Sequence, residues 1–553
     1  MQKKFKLFLT MMLVLTLTLL AACTNNEEAG SESQEGENGE ITVKVLHNWA
    51  GSEGNAPKDV ENNPVAKKIL EETGVKLAFD YPTGLSEVEK ITQVFSTGEF
   101  PDLYTGPAWG KESETLLKAA NEGQLHDLTE YIEKYPNLAN LVKKENISPS
   151  LYDNIISQQQ GGQFMLHAGY PATEDDVINW LYGLYVNKEI ADQVGIDPQS
   201  VHTPDDLYNF LTAVKDANLE SNGNPVFPLG ANGNGWPLDI LSEMFVPVAG
   251  SASWMIDDNG ETKLNFLTSE YEDYILYMQK LLNDGLLDPE AYTQTGAIAE
   301  EKLMQGRYAV VPNQFPGLWT GLSKAGLQDK YVPLGPLNDA TGDPHRTEVN
   351  VTGSQLIAVP TSVPKEKLDT IMEMLNYLAS DEGFLLTKYG VEGVHYDKVD
   401  GKVQAKKEWV DKLKDDPKTL VNEGIDSSYG TLAGMHRAVS LAGGSFGYQY
   451  DPRYKIEEEF KQIMSPNGIT PVEGKDPYTV FQKHANYEQI QPIFDTLGDV
   501  VLQAIHSKSE EEAKKLIKES QEALKSAGIE EVDNEIAKQA KDGTEFMRYR
   551  TSN

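Results

Sequence analysis

Gly443-Gly444-Ser445-Phe446-Gly447 matches the spacing of a nucleophile elbow. That device needs a strand before the serine and a helix after it. Here a helix-like stretch, Ala438–Ala442, precedes the motif and Tyr448-Gln449-Tyr450-Asp451-Pro452 follows as loop, so the segment reads as a glycine-rich turn. The nine histidines (47, 126, 167, 202, 345, 395, 436, 484 and 506) include no pair closer than the 22 residues between His484 and His506. A zinc helix of the H-E-x-x-H kind is therefore absent, and so is a phosphate-cradling P-loop. The 85 acids offer carboxylate pairs everywhere, but a glycosidase is defined by the separation of two carboxyls, which sequence does not give. Around Asn218-Leu-Glu220-Ser-Asn222-Gly223, oxygen ligands fall at calcium-loop positions 1, 3 and 5 with glycine at 6. Position 12 is Leu229 in place of the bidentate glutamate, so the expectation is an Asn-Gly turn with no metal. No residue set points to catalysis or to a cofactor, and the chain is expected not to be an enzyme.

Aromatic side chains are the better lead. A sugar presents apolar C–H faces ringed by hydroxyls, which flat rings and polar rim groups can hold together. Of seven tryptophans, Trp49 lies in His47-Asn48-Trp49-Ala50-Gly51 and Trp109 in Gly106-Pro107-Ala108-Trp109-Gly110. Trp236 lies in Asn232-Gly233-Asn234-Gly235-Trp236, and Trp319 in Gln314-Phe315-Pro316-Gly317-Leu318-Trp319. All four occupy Gly/Pro/Asn-rich stretches at or near the ends of expected strands, and Asn48 is a polar neighbour of the first. Trp254 and Trp409 read as surface hairpin or helix residues and fall outside the candidate set.

The elements that must position these residues alternate between two periods. Ile41, Val43 and Val45 alternate with Thr42 and Lys44, an opening strand. Further strands are expected at Phe100–Tyr104, Tyr308–Val311 and Gln355–Val359, and helices at Pro64–Thr73, Leu85–Ser96 and Thr370–Ala379. Thr203 is an N-cap with Pro204 at the first helical position and Asp205 and Asp206 in the first turn, opening a helix to about Asp216. Tyr271, Tyr274, Ile275, Met278 and Leu282 share one helix face before Gly285 stops it. Ser509 caps a helix running to Gly528. Interleaved strands and helices indicate an α/β architecture, with neither a 20–50-residue repeat nor a later membrane-spanning run.

The formal charge is −37, from 48 Lys+Arg against 85 Asp+Glu. Such a chain is repelled by nucleic acid and by anionic head groups, which excludes nucleic-acid binding. Its only cysteine, Cys23, rules out a disulfide or a cysteine zinc site. Lys3, Lys4 and Lys6 precede an apolar run, Leu7–Leu20, of about 21 Å as helix, short of a ~30 Å hydrocarbon core. Residues 1–22 therefore read as a secretory signal. Leu20-Ala21-Ala22-Cys23 resembles the bacterial lipobox, whose cysteine takes a diacylglyceryl group, and two acyl chains anchor stably. Residues 23–40, with six glutamates and no large apolar side chain, read as a disordered acidic tether. Losing the three lysines leaves 45 bases against 85 acids, or −40. Losing the tether glutamates as well leaves the body from Ile41 at −34.

Several segments read in order are similar to the bacterial extracellular solute-binding proteins of family 1, which serve carbohydrate ABC importers. They are Phe100-Pro101-Asp102-Leu103-Tyr104, Tyr185-Val186-Asn187-Lys188-Glu189, Gly195-Ile196-Asp197-Pro198 and the Thr203 helix start. Leu286-Leu287-Asp288-Pro289-Glu290 and Lys302-Leu303-Met304-Gln305-Gly306-Arg307-Tyr308-Ala309-Val310 follow, then Gly390-Val391-Glu392-Gly393. The resemblance implies a two-lobed type II periplasmic-binding-protein fold with three hinge crossings, near Phe164–Tyr185, Gly353–Pro360 and within residues 440–480. Residues 41–553 then form the solute-binding domain. Lobe 1 takes about 41–168 with 356–450, and lobe 2 about 180–350 with 455–553. The cleft between them would be lined by Trp49, Trp109, Trp236, Trp319 and Asn48, by Tyr182 and Tyr185 beside the first crossing (with Tyr170 and Trp180), and by Glu392. The implied partners are an oligosaccharide, the membrane subunits of an ABC permease and the outer face of the cell membrane through Cys23; the protein is expected to be monomeric. Two other readings stay open: a lipid-anchored secreted glycan-degrading enzyme, and a receptor for a non-sugar solute on the same fold.

Overall fold

Alternation in Ile41–His47 (β1) sends Val43 and Val45 to one face of a sheet and Leu46 to the other. Val75–Asp80 (β2) and Leu103–Pro107 (β3) run parallel to β1 on either side of it. Met165–Ala168 (β4) completes the first half of this layer. A second sheet is built from Gly183–Asn187 (β5), Phe227–Leu229 (β6), Tyr308–Asn313 (β7) and Tyr331–Pro333 (β8), after which Gln355–Ala358 (β9) returns to the first. The strand orders are β2-β1-β3-β9-β4 and β8-β5-β7-β6. The computed structural model describes residues 40–546 apart from 50–51, 61, 148, 172–180, 247–249, 257–259, 336–354, 417, 438–439, 442–452 and 465–473. Cys23 and its signal, the tether up to residue 39, Trp180, Gly353 and the Gly443–Gly447 turn lie outside the described residues.

Each sheet is buried on both faces. In the first, Val43, Leu103, Leu166 and Ile357 enter one core and Leu46, Tyr104, Met165 and Leu356 the other. In the second, Leu184, Val186 and Val310 face one core and Tyr185, Tyr308 and Val311 the opposite one. The C-terminal residues belong to the second sheet: Phe460 and Met464 join the tyrosine side, while Phe481, Ile517 and Ile536 join the larger core. The chain therefore passes three times between the sheets, and two lobes result.

One topological detail decides where a site can form. In each sheet the antiparallel strand is the first that the chain makes on arriving from the other sheet: β5 runs against β7 and β8, and β9 against β3 and β4. The beginnings of β5 and β9 thus lie at the same edges where the other strands end. The second passage falls between Pro333 and Gln355; residues 355–358 are paired on both sides within the first sheet and are not themselves a crossing.

Local signals behave as their chemistry dictates. Pro64–Thr73 is helical and stops at Gly74. Thr203 and Asp206 form a capping box at Pro204–Asp216, and Ser86 and Glu89 do so at Glu87–Thr97. Asn222-Gly223 turns a small hairpin between Glu220–Ser221 and Asn224–Pro225. Among the described residues no group of three His, Cys, Asp or Glu gathers as a metal site, and no helix is long and apolar enough to cross a membrane. Trp254 and Trp409 correct the surface expectation, since both are buried. Trp254 stacks on Phe494 and donates to Asp533 Oδ1 at 2.8 Å; Trp409 packs on His395 and donates to Val394 O.

Candidate functional site

The first sheet ends at an edge made by His47, Pro107, Ala168 and the start of β9 at Gln355. His47 is buried and stands edge-on to Tyr81 at 5.5 Å; burial pushes its imidazole down to about 4, so the ring is neutral at pH 7. Its Nδ1 has no partner. Asn48, fully buried, donates from Nδ2 to Glu87 O (3.0 Å) and to Tyr104 Oη (3.1 Å), while its Oδ1 is unpartnered. These bonds set the backbone that carries Trp49. Trp49 is half-buried, with a buried and unpartnered Nε1, and meets Trp109 edge to face at 5.4 Å. Trp109 is the residue before the helix Gly110–Asn121 and is 55% exposed. Beside this pair, His47, Gln355, Ser428, Thr431, Lys388 and Asp426 line a polar cavity of about 310 Å³. Lys388 Nζ is paired with Asp426 Oδ1 at 2.8 Å, and Ser428 Oγ with Tyr81 Oη at 2.9 Å.

The second sheet ends at Leu229 and Asn313 and begins at Gly183, so Tyr182, Gln314 and the loop 230–236 share its edge. Trp236 is 42% exposed and meets the half-buried Tyr182 edge to face at 6.0 Å. Its loop is closed by Asn232 N–H donating to Trp236 O (2.8 Å) and Asn234 N–H to Gln294 O (2.9 Å). Gly235, at φ +79, has no room for a Cβ, which would stand 2.4 Å from the Tyr292 ring. Gln294 is held in turn: its Nε2 donates to Ala231 O (3.2 Å) and to Tyr308 Oη (3.1 Å). Tyr308 Oη donates to Asp288 Oδ2 (3.0 Å), which pairs with the buried Lys302 at 2.7 Å. Gln314 Oε1, at the end of β7, is buried without a partner.

Two lobes thus present the same device, an exposed tryptophan braced edge-on by a second ring, at the carboxyl ends of their strands, where open α/β sheets bind ligands. A family model described as bacterial extracellular solute-binding protein matches residues 58–383. The chain belongs to this family. Among its curated relatives in Bacillus subtilis (strain 168), lipoprotein LipO is 24% identical over 535 residues, covering 92% of this chain and 95% of its own. The polygalacturonan/rhamnogalacturonan-binding protein YtcQ is 22% identical over 420 residues, covering 74% and 77%. Among solved structures, the S. pneumoniae ABC-transporter substrate-binding protein FusA in complex with kestose superposes with a TM-score of 0.64 at 15% identity, over 91% of this chain and 100% of that one. The fold is accordingly the type II periplasmic-binding-protein fold.

Within this solute-binding fold the expected residues divide. Trp49, Trp109 and Asn48 come together on one lobe, Trp236 and Tyr182 on the other. Trp319 does not join them: it sits inside the helix Phe315–Ala325, not in a loop, and is 8% exposed against Phe315. Tyr185 also leaves the set, because its position in β5 turns it to the inner face, 0% exposed, with its hydroxyl donating to Leu181 O. Tyr170 is buried as well. Glu392 is exposed and ion-paired with Lys398 at 3.1 Å beside the hairpin of Tyr396–Val399 and Lys402–Ala405. The sequence reading missed His47, Gln314, Gln355 and the run Asp426–Thr431. Only the last carried a signal, a cluster of small polar residues of loop composition.

Proposed function

We propose that the protein is a lipid-anchored extracellular receptor that captures an oligosaccharide between its lobes and presents it, as a monomer and without chemistry, to the membrane subunits of an ABC-type importer. One observation carries this reading: of the six described tryptophans, the two that are exposed stand at the strand ends of different lobes, each braced by another ring. Exposed indoles cost solvation in the free protein and suit the C–H faces of a sugar. Residues 41–168 with 356–450 would move against 180–350 with 455–553. Closure is favoured because the ligand touches both lobes only then. YtcQ and FusA, whose names and complexes specify saccharides, favour a sugar over another solute, and LipO, named a lipoprotein, accords with an anchor at Cys23. Micromolar capture needs only about −8 kcal/mol.

The test is a thermal-shift screen of the mature chain against oligosaccharides, since ligand at ~100 Kd adds about 2.7 kcal/mol to stability. Trp109→Ala combined with Trp236→Ala is expected to abolish the shift and leave the ligand-free melting point in place. A retained shift removes both rings from the site, and sugar recovered in shortened form defeats the receptor reading. Replacing Cys23 by alanine is expected to release the protein into the medium.

A further inference from the structure

The polar cavity of lobe 1 lies on the same sheet edge as the tryptophans. Gln355, which lines it, pairs on one side with Pro107, two residues before Trp109, and on the other with Ala168. His47, the last residue of β1, forms another part of the wall, and its ring centre stands 6.5 Å from that of Trp49. Two ring-to-ring steps, 6.5 Å and 5.4 Å, therefore lead from the cavity wall to the exposed Trp109. At about 310 Å³ the space lies at the lower end of the roughly 300–1,000 Å³ typical of ligand pockets. That suits one ring of a saccharide and not a chain.

The groups lining this space keep bonding capacity that solvent can reach. Lys388 Nζ has three N–H donors and gives one to Asp426 Oδ1 at 2.8 Å; the two side chains are 24% and 59% exposed. Gln355 Oε1 accepts from Thr105 Oγ1 at 3.5 Å. The Gln355 amide NH2 has no partner among the described residues and is not one of the orphans sealed from solvent. Thr431 Oγ1 donates to Ser428 O at 2.7 Å and keeps its lone pairs for accepting. Ammonium and amide donors thus stand beside carboxylate and hydroxyl acceptors. Adjacent hydroxyls on a sugar ring, each able to donate and to accept, match that mixture.

Two local features hold the ion pair at a cost to the fold. Asp426 has φ +47, in the left-handed region that few non-glycine residues occupy, and its N–H donates to Thr387 O at 2.9 Å. Gly430 leaves room for the lysine, since a Cβ there would stand 3.1 Å from Lys388 Cε and Nζ. An exposed ion pair contributes little stability against such costs, whereas strained backbone gathers at ligand sites.

Resting on the receptor reading above, we propose that this cavity is the subsite for a single sugar unit, whose adjacent hydroxyls are read by Lys388, Asp426 and Gln355 while neighbouring units lie over Trp109. The receptor then recognises one unit by its hydroxyl pattern and the rest of the chain by its apolar faces.

The probes are malto-, xylo-, galacto- and fructo-oligosaccharides and oligogalacturonides, from di- to hexasaccharide, titrated calorimetrically into the mature protein. For the saccharide that binds, Lys388→Met and Asp426→Asn are each expected to weaken binding at least ~10-fold. Lys330→Met, which breaks an exposed pair with Glu189 on lobe 2, also at 2.8 Å, is expected to leave affinity unchanged. Melting points of all three variants should stay close to that of the wild type, because exposed pairs contribute little. A ligand cycle separates contact from shape: one monodeoxy analogue of the bound sugar should lose ~10-fold on the wild type and nothing further on Lys388→Met. If every monodeoxy analogue loses the same factor on both proteins, the pair does not touch the sugar and the proposal falls. Equal saccharide binding by the wild type, Lys388→Met and Asp426→Asn also overturns the subsite, and leaves the receptor reading standing. Should Asp426→Asn fail to fold, Lys388→Met decides alone. Absence of binding by the wild type to every probe overturns the receptor reading and the subsite with it.

Discussion

Trp49–Trp109 and Tyr182–Trp236 are the same device supported in opposite ways. On lobe 1 the rings stand on side-chain hydrogen bonds from Asn48, and several of the polar atoms there, His47 Nδ1, Asn48 Oδ1 and Trp49 Nε1, have no partner. On lobe 2 the Trp236 loop is fixed by backbone bonds, a close-packed Gly235 and a chain of buried groups from Gln294 through Tyr308 and Asp288 to Lys302. The backbone under the lobe 1 rings thus hangs on one buried side chain among polar atoms left without partners, whereas the Trp236 loop of lobe 2 is tied through its own backbone, with Gln314 Oε1 left over on the neighbouring strand end. Mutations in the lobe 2 support should then act on stability first, and mutations in the lobe 1 support on affinity first.

The largest effect is expected from Asp288→Ala. It leaves the buried Lys302 ammonium with only Glu290, whose carboxylate is largely exposed, and removes the acceptor of Tyr308. Breaking a buried pair by deleting one partner costs about 3–5 kcal/mol. Urea unfolding should report that loss, and hydrogen exchange should rise in peptides of the second sheet while those of the first keep their protection. Equal loosening of both sheets would dissolve the distinction between the lobes.

Next comes pH, to which the lobes should respond with opposite sign. His47 has a folded value of about 4 against 6.5 unfolded, so between these the unfolded chain binds the proton and stability is lost as pH falls from 6.5 to 4. Asp533, pressed against Trp254, is raised to about 7 from 3.8, so the folded chain holds the extra proton and stability is lost as pH rises from 3.8 to 7. Each is on the order of 3 kcal/mol at full extent. Asp533→Asn is expected to raise the melting point at pH 7 and not at pH 4; His47→Gln should remove part of the acid loss. The same sign for both variants at pH 7 would contradict this assignment.

Legibility in the sequence followed the range of the interaction. Caps and periods are local, so Pro64–Thr73 and the Thr203 helix were readable to the residue or nearly so, as was the α/β alternation. The aromatic loops were readable because Gly, Pro and Asn mark strand ends. Trp319 misled because Pro316, which marks a loop elsewhere, stands here in the first turn of a helix, where its missing N–H is harmless. Tyr185 misled because its inward face is fixed by pairing with β7 and β8, which lie over a hundred residues away. The polar cavity drew on His47, Gln355 and Ser428, brought together only by the first sheet and the loops packed on it, and no local pattern foretold it.

The smallest expected change in stability comes from Asn48→Ala. It deletes two donated hydrogen bonds, to Glu87 O and Tyr104 Oη, and with them one acceptor that was already unpartnered. The net cost of one such bond is about 1 kcal/mol, and losing the orphan offsets part of it. Folding should therefore weaken by only ~1 kcal/mol. Affinity should suffer more, because the backbone that carries Trp49 loses its anchor; a drop of about tenfold corresponds to 1.4 kcal/mol. Measuring both on one preparation, by urea midpoint and by calorimetry, gives a ratio. For Asn48→Ala the affinity loss should exceed the stability loss, and for Asp288→Ala the order should reverse. If the two variants give the same ratio, the lobes do not divide the work of holding and completing the site in this way.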